Sequence, residues 1–98
     1  MSLKLIIKPE AKVDLAEAKV WYDKQRKGLA SEFKLCIEEA MERIRRMPEL
    51  HAEMDNGVRR CLVRRFPYAI FYKLEETRVV VIAVMHTRRD PKRWRDRA

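Results

Sequence analysis

Glycine is scarce in this chain: Gly28 and Gly57 are the only two among 98 residues. Two isolated glycines do not build a phosphate-cradling loop, so nucleotide-binding folds of that kind are set aside. Serine is equally scarce, at Ser2 and Ser31, and no Ser-His-Asp arrangement is in reach. The two cysteines, Cys36 and Cys61, stand apart from each other and from either histidine. No structural zinc site is expected from that spacing. They read as small buried hydrophobes in a reducing compartment, with a disulfide as the lesser alternative. No apolar run approaches the ~18 residues of a membrane span, and Met1 to Lys8 has no signal-peptide pattern. A cytoplasmic protein with no membrane partner, metal or cofactor is the expectation. Aromatic residues make up 8%, which gives little support for stacking single-stranded nucleic acid.

Charge is what the chain has in excess. Charged residues are 39% of the total, and the formal net charge is +8. The excess is uneven. Residues 1–50 carry 11 basic and 9 acidic groups, whereas residues 51–98 carry 12 and 6. The last thirteen residues, from His86, hold 6 basic and 2 acidic side chains. Such a field favours an acidic protein segment, nucleic acid or an anionic surface without choosing among them. A solvated basic face with no specific ligand is the plainer reading.

The chain reads as a single domain over residues 1–98. Leu3 to Lys8 is a short apolar strand, ended by Pro9. Residues 10–27 form a helix whose stripe is Ala11, Leu15, Ala18 and Tyr22, widened by Val13, Ala16 and Val20. Gly28 is its natural stop. Leu29 to Arg46 is a second helix, apolar at Leu29, Phe33, Ile37, Ala40, Met41, Ile44 and Met47. The short gap makes an αα-hairpin, and its apolar stripes require a sheet to cover. Residues 49–57 are polar and contain the Asp55-Asn56-Gly57 turn signal. Three strands follow: Val58 to Arg65, Tyr68 to Lys73, and Arg78 to Thr87. The run Val79 to Val84 marks the last as the most buried. Asp90-Pro91 opens a short tail helix holding Trp94. The fold class is therefore α+β, with order β-α-α-β-β-β. The αα-hairpin packs on one face of a mainly antiparallel sheet, and a short C-terminal helix follows. The opposite face is expected to carry arginines and remain open to a partner.

Two groups of residues carry potential chemistry. Arg59, Arg60, Arg64 and Arg65 accompany the second strand, and His86, Arg88 and Arg89 end the fourth. Brought together, they would set one histidine among guanidinium groups, which bind phosphate or carboxylate bidentately. Metal-free RNA cleavage would use His86 as base and Arg64 or Arg65 on the phosphate. The alternative is a histidine held at the sheet edge, with arginines solvated or facing an acidic partner. Trp94 either folds back onto the core or anchors a partner. The carboxylates Glu38, Glu39 and Glu42 alternate with Arg43, Arg45 and Arg46, which fits surface ion pairs on a helix rather than acid–base catalysis.

Taken together, these residues resemble the RelE/ParE superfamily of bacterial toxins, in its ParE-like, plasmid-stabilisation branch. The resemblance rests on Asp14-Leu15, Trp21-Tyr22, Phe33, Ile37, Ile44 and Pro48. It is strongest in Arg65-Phe66-Pro67-Tyr68-Ala69-Ile70-Phe71-Tyr72 and in Val79 to Met85. His86-Thr87-Arg88-Arg89-Asp90-Pro91 and Trp94 complete it. It implies a small cytosolic toxin neutralised by the acidic C-terminal segment of a cognate antitoxin. The ParE branch implies inhibition of DNA gyrase. The RelE branch implies mRNA cleavage on the ribosome, and a non-toxic, antitoxin-binding homologue is a third reading. The tail has no tyrosine after Tyr72 and ends in the ParE-like manner, which favours gyrase. Arg64, Arg65, His86, Arg88, Arg89 and Trp94 are then the residues expected to meet target or antitoxin. Contact with DNA would be indirect, through the antitoxin.

Overall fold

The computed structural model describes residues 3–98; Met1 and Ser2 lie outside the described residues. Strand β1 (Lys4–Ile7) leads straight into helix α1 (Pro9–Gln25). Pro9 stands in the first turn, where its missing N–H costs nothing, and Glu10 there meets the positive end of the helix dipole. Helix α1 stops at Gln25, two residues short of expectation, because Arg26 turns to extended backbone. Gly28 then adopts φ +87° and starts helix α2 (Leu29–Arg46). An added Cβ at Gly28 would meet nothing, so what glycine supplies here is the left-handed backbone itself.

A two-residue strand β2 (Ala52–Glu53) was not expected; both of its residues are exposed and carry no apolar pattern. It pairs with β3 (Val58–Leu62) through the Asp55-Asn56-Gly57 turn. Asn56 and Gly57 both have positive φ, the geometry that a two-residue hairpin requires. Strands β4 (Tyr68–Leu74) and β5 (Arg78–His86) complete a five-stranded sheet in the order β1-β5-β4-β3-β2. Only β1 and β5 run parallel. A short helix α3 (Lys92–Arg95) ends the chain.

The helical hairpin covers one face of the sheet. Ala11, Ala18 and Tyr22 from α1, and Phe33, Ile37, Ala40 and Ile44 from α2, pack on Cys61, Ile70, Tyr72, Val79, Val81 and Val84. Val13, Ala16 and Val20 do not widen this face: they point to solvent, as does Met47. The expectation of an arginine-lined opposite face is corrected here. That face is apolar, with Val58, Ala69, Phe71, Val80, Ile82, Ala83 and Met85 buried together with Trp94. Strands buried on both sides read as continuous apolar runs, and β4 and β5 are such strands. The tail therefore folds back across the sheet and closes a second core. No helix among the described residues is long and apolar enough to cross a membrane.

Candidate functional site

Strands β3, β4 and β5 bring the expected site residues to one end of the sheet. The Thr87 N–H donates to Pro67 O at 2.8 Å, and the Val63 N–H to Tyr68 O at 2.9 Å. The β3–β4 loop therefore lies beside the end of β5. The side chains nevertheless part company. Arg64 and Arg65 sit in that loop rather than in a strand, and Arg65 has φ +70°. Both turn towards α2, Arg64 to Glu39 at 3.6 Å and Arg65 to Glu32 at 3.7 Å. His86 and Arg89 instead line a cleft between α1 and the tail. Arg64 and Arg65 are not among its lining residues, so the expected patch of arginines around His86 is not assembled whole.

His86 is fixed at the end of β5. Its ring meets Tyr68 edge-on at 5.5 Å, and the two residues face each other across the β4–β5 ladder. Nδ1 accepts the Arg88 backbone N–H at 3.0 Å. In the neutral ring this bond assigns the proton to Nε2. The free nitrogen therefore presents a donor, and the lone pair a general base would use is already engaged in the turn. The Arg89 N–H closes the same turn by donating to His86 O at 3.0 Å.

The cleft encloses about 990 Å³. One wall is α1, with Glu10, Val13, Asp14, Glu17 and Trp21. The other wall is the end of β5 and the tail, with Val84, His86, Arg89, Arg93, Asp96 and Arg97. Tyr22, Pro67 and Tyr68 form its inner end. Tyr22 and Tyr68 pack edge-on or tilted with Phe33 and Phe66 into an aromatic cluster with centroids 5.0 to 6.0 Å apart. Burial raises the phenol pKa of both tyrosines above its ordinary value, although the charge of Arg89 opposes the shift at Tyr68. Tyr68 is thus a donor, and not a base, at neutral pH. Trp21 is 54% exposed, an unusual state for the largest apolar side chain. Arg88, Arg89 and Arg93 have no carboxylate partner among the described ion pairs.

Trp94 takes the first of its two readings. It is 4% exposed and stacks on Phe71 at 5.0 Å, with the Arg95 guanidinium 5.4 Å from its ring centre. It caps the second core and presents no surface to a partner. The ion pair between Asp14 and Arg97 had no counterpart in the sequence reading. Its partners stand eighty-three positions apart, and nothing in local spacing joins them. Trp21, Arg93 and Arg97 were likewise not singled out as site residues; the signal they carried was an aromatic and two arginines on surfaces that only the fold brings together. No group of three or more His, Cys, Asp or Glu side chains among the described residues has the geometry to hold a metal.

No curated protein matches the chain. Solved structures share its architecture, two of them toxin–antitoxin systems. One is titled the chromosomal ParDE TA system from P. aeruginosa: it has TM-score 0.77 and 16% identity, over 87% of this chain and 96% of that one. The other is the toxin–antitoxin complex RelBE2 from Mycobacterium tuberculosis: it has TM-score 0.59 and 20% identity, over 88% and 99%. At such identities the likeness establishes the α+β fold alone. The family model described as ParE toxin of type II toxin-antitoxin system, parDE, matches residues 5–91. That match spans α1, α2, strands β2 to β5, most of β1 and the His86 turn, and the chain belongs to the ParE toxin family of type II toxin–antitoxin systems.

Proposed function

We propose that the chain is a cytoplasmic toxin that acts by binding, inhibiting DNA gyrase, and that the acidic C-terminal segment of a cognate antitoxin neutralises it. One observation carries the choice of binding over cutting. The Nδ1 lone pair of His86 is held by the Arg88 N–H, while Arg64 and Arg65 face Glu39 and Glu32. A base with its lone pair occupied and phosphate ligands turned elsewhere do not make a phosphodiesterase centre. Among the described residues Arg88 and Arg89 have no carboxylate partner, as an electropositive contact surface would have them. Their target would be a protein, with DNA reached only through the antitoxin.

A ribosome-dependent mRNA nuclease is the second reading. It is favoured by the placing of His86, Tyr68 and Arg89 in one cleft. Pulse-labelling of DNA and protein synthesis directly after induction without antitoxin separates the two. The inhibitor reading expects DNA synthesis to stop first and purified gyrase to lose supercoiling activity. An earlier stop in protein synthesis supports the nuclease. If neither stops in cells holding soluble, folded chain, the protein is a binding-only homologue.

A further inference from the structure

Helix α1 is apolar on two opposite sides. Ala11, Ala18 and Tyr22 are buried on the side that meets the sheet and α2. Val13, Ala16 and Val20 are exposed, and the two valines keep 54% and 56% of their surface. At about 100° per residue, Ala16 and Val20 each stand about 160° round the helix from Ala18, one on either hand, with Val13 next to Val20. The spacing 13, 16, 20 is the +3, +4 seam by which one helix packs along another. Nothing among the described residues covers it.

The charges that border this stripe balance. Glu10, Glu17 and Asp23 stand with Lys12, Lys19 and Lys24, three acidic against three basic groups, in a chain of net charge +8. Asp14 is held by Arg97 and does not enter this count. None of the six has an ion-pair partner among the described residues. Glu10 and Glu17 feel the charge of Arg97 without contacting it. An apolar stripe with a neutral border does not suit a strongly acidic segment or nucleic acid, which the basic surfaces elsewhere attract. A second copy of the chain, repelled by those surfaces, meets least repulsion here.

The order of charges along α1 fixes how two copies fit. Laid antiparallel about a two-fold axis near Glu17, Val13 of one copy meets Val20 of the other. On one flank Glu10 meets Lys24, and on the other Lys12 meets Asp23. Symmetry makes each of these meetings twice. The one like-charge meeting is Glu17 with its own counterpart at the axis. Ala16, next to the axis, is small enough to let the helices approach closely.

We infer that α1 is a self-association face, on which two copies of this chain pair through antiparallel α1 helices. Val13, Ala16 and Val20 form the apolar seam, and Glu10 with Lys24 and Lys12 with Asp23 form its borders. The seam is short. One pair of 17-residue helices, about 25 Å long, is a small contact beside the ~1,200–2,000 Å² of standard interfaces, so the dimer is reversible and forms at micromolar rather than nanomolar concentration. It uses no residue of the His86 turn and is independent of the gyrase reading.

Sedimentation equilibrium of the full chain from about 1 µM to about 1 mM reads the dissociation constant. A monomer–dimer equilibrium is expected. Val20→Glu and Ala16→Glu place a charge in the seam and are expected to weaken it at least ten-fold; both positions are exposed, and urea unfolding checks that the variants fold. Glu17→Gln removes the repulsive meeting and is expected to tighten the dimer about two-fold, a gain that no loss of folding imitates. Lys12→Asp and Asp23→Lys are each expected to weaken it, and the double exchange to restore the parent value, because the antiparallel fit sets position 12 against position 23. A chain that stays monomeric at about 1 mM overturns the inference. So does a dimer indifferent to Val20→Glu and Ala16→Glu. A double exchange no better than its single members overturns the antiparallel arrangement. If the chain is monomeric and Val20→Glu abolishes growth inhibition, the stripe belongs to a different protein and not to a second copy. Pulse-labelling is read separately: a chain that dimerises as expected yet spares DNA synthesis removes the gyrase reading and leaves the α1 pairing in place.

Discussion

Arg97 grips Asp14 with two nitrogens, at 2.6 and 3.1 Å, and so ties the end of the chain to its first helix. The Asp14 carboxylate also receives the Val84 N–H, and Arg97 also reaches Ile82 O. One ion pair thus closes a gap in the sheet, holds α3 in place and forms the floor of the cleft. The two side chains are 13% and 25% exposed, which removes most of the solvent screening that makes surface pairs weak.

Removing one partner of this pair strands the other. Asp14→Ala leaves Arg97 without its carboxylate and Val84 N–H without its acceptor, and is expected to cost about 2–4 kcal/mol. Arg97→Ala leaves the Asp14–Val84 bond standing and is expected to cost about half as much. Urea unfolding of the two variants checks the order. Equal costs, or costs within about 0.5 kcal/mol of zero, would place the pair among ordinary surface contacts.

Trp94 and Phe71 make the second core specific. Trp94→Ala opens a cavity under the tail and is expected to cost about 3–5 kcal/mol. Trp94→Phe keeps a stacked ring and is expected to recover more than half of that. Thermal unfolding measures both, and a Trp94→Ala variant as stable as the parent would return this residue to the role of surface anchor.

The second core also marks where the sequence was misread. Both helices, the hairpin turn at Asp55-Asn56-Gly57 and the three long strands are legible because their signals are local: a 3.6-residue stripe, a turn triplet, β-branched runs. An arginine-lined far face does not follow from Arg59 and Arg60, which stand side by side in β3. Adjacent strand residues point to opposite faces, so one pair of arginines cannot define a face. Arg59 lies on the helix side and donates to Glu49 O and His51 O. Burial on both sides of β5 was visible in the unbroken run from Val79 to Met85. What covers its second side depends on where the tail after His86 folds, and no local pattern encodes that. The site divides in the same way. His86 and Arg89 are adjacent in the chain and appear together, whereas Trp21 and Arg93 share a cleft only through tertiary packing.

Stability is expected to fall with acid in a region that the function does not use. His51 sits where burial, and then the charge of Arg43, hold its pKa below the ordinary 6.5, with Arg59 adding to the effect. Its Nε2 is buried with no hydrogen-bond partner among the described residues. The folded state therefore favours the neutral ring, and its contribution is complete above the unfolded value near 6.5. It is lost as pH falls from there towards the lower folded value. Glu39, whose pKa the Arg43 hydrogen bond lowers, adds a further loss below about 4.5. Urea midpoints between pH about 8 and 5 are expected to decline in the parent and to flatten in His51→Gln; an identical slope in both would assign the loss to other groups.

The His86 turn offers a substitution that separates its structural part from any chemical one. Asparagine places an amide oxygen close to where Nδ1 lies, so His86→Asn retains an acceptor for the Arg88 N–H. It has no titratable nitrogen. His86→Ala removes both the acceptor and the ring on Tyr68. If His86 only shapes the rim, His86→Asn is expected to keep growth inhibition within about two-fold of the parent, while His86→Ala loosens the 86–89 turn and weakens it. If His86 moves a proton, both variants are expected to lose ~10²–10⁴ in cleavage, because general acid–base catalysis contributes that much and neither side chain supplies it. Growth inhibition in cells, read beside the amide shift of Arg88 in the purified variants, distinguishes the outcomes. A fully inactive His86→Asn with its Arg88 amide unmoved would overturn the binding mechanism, since the turn would be intact and only the proton carrier gone.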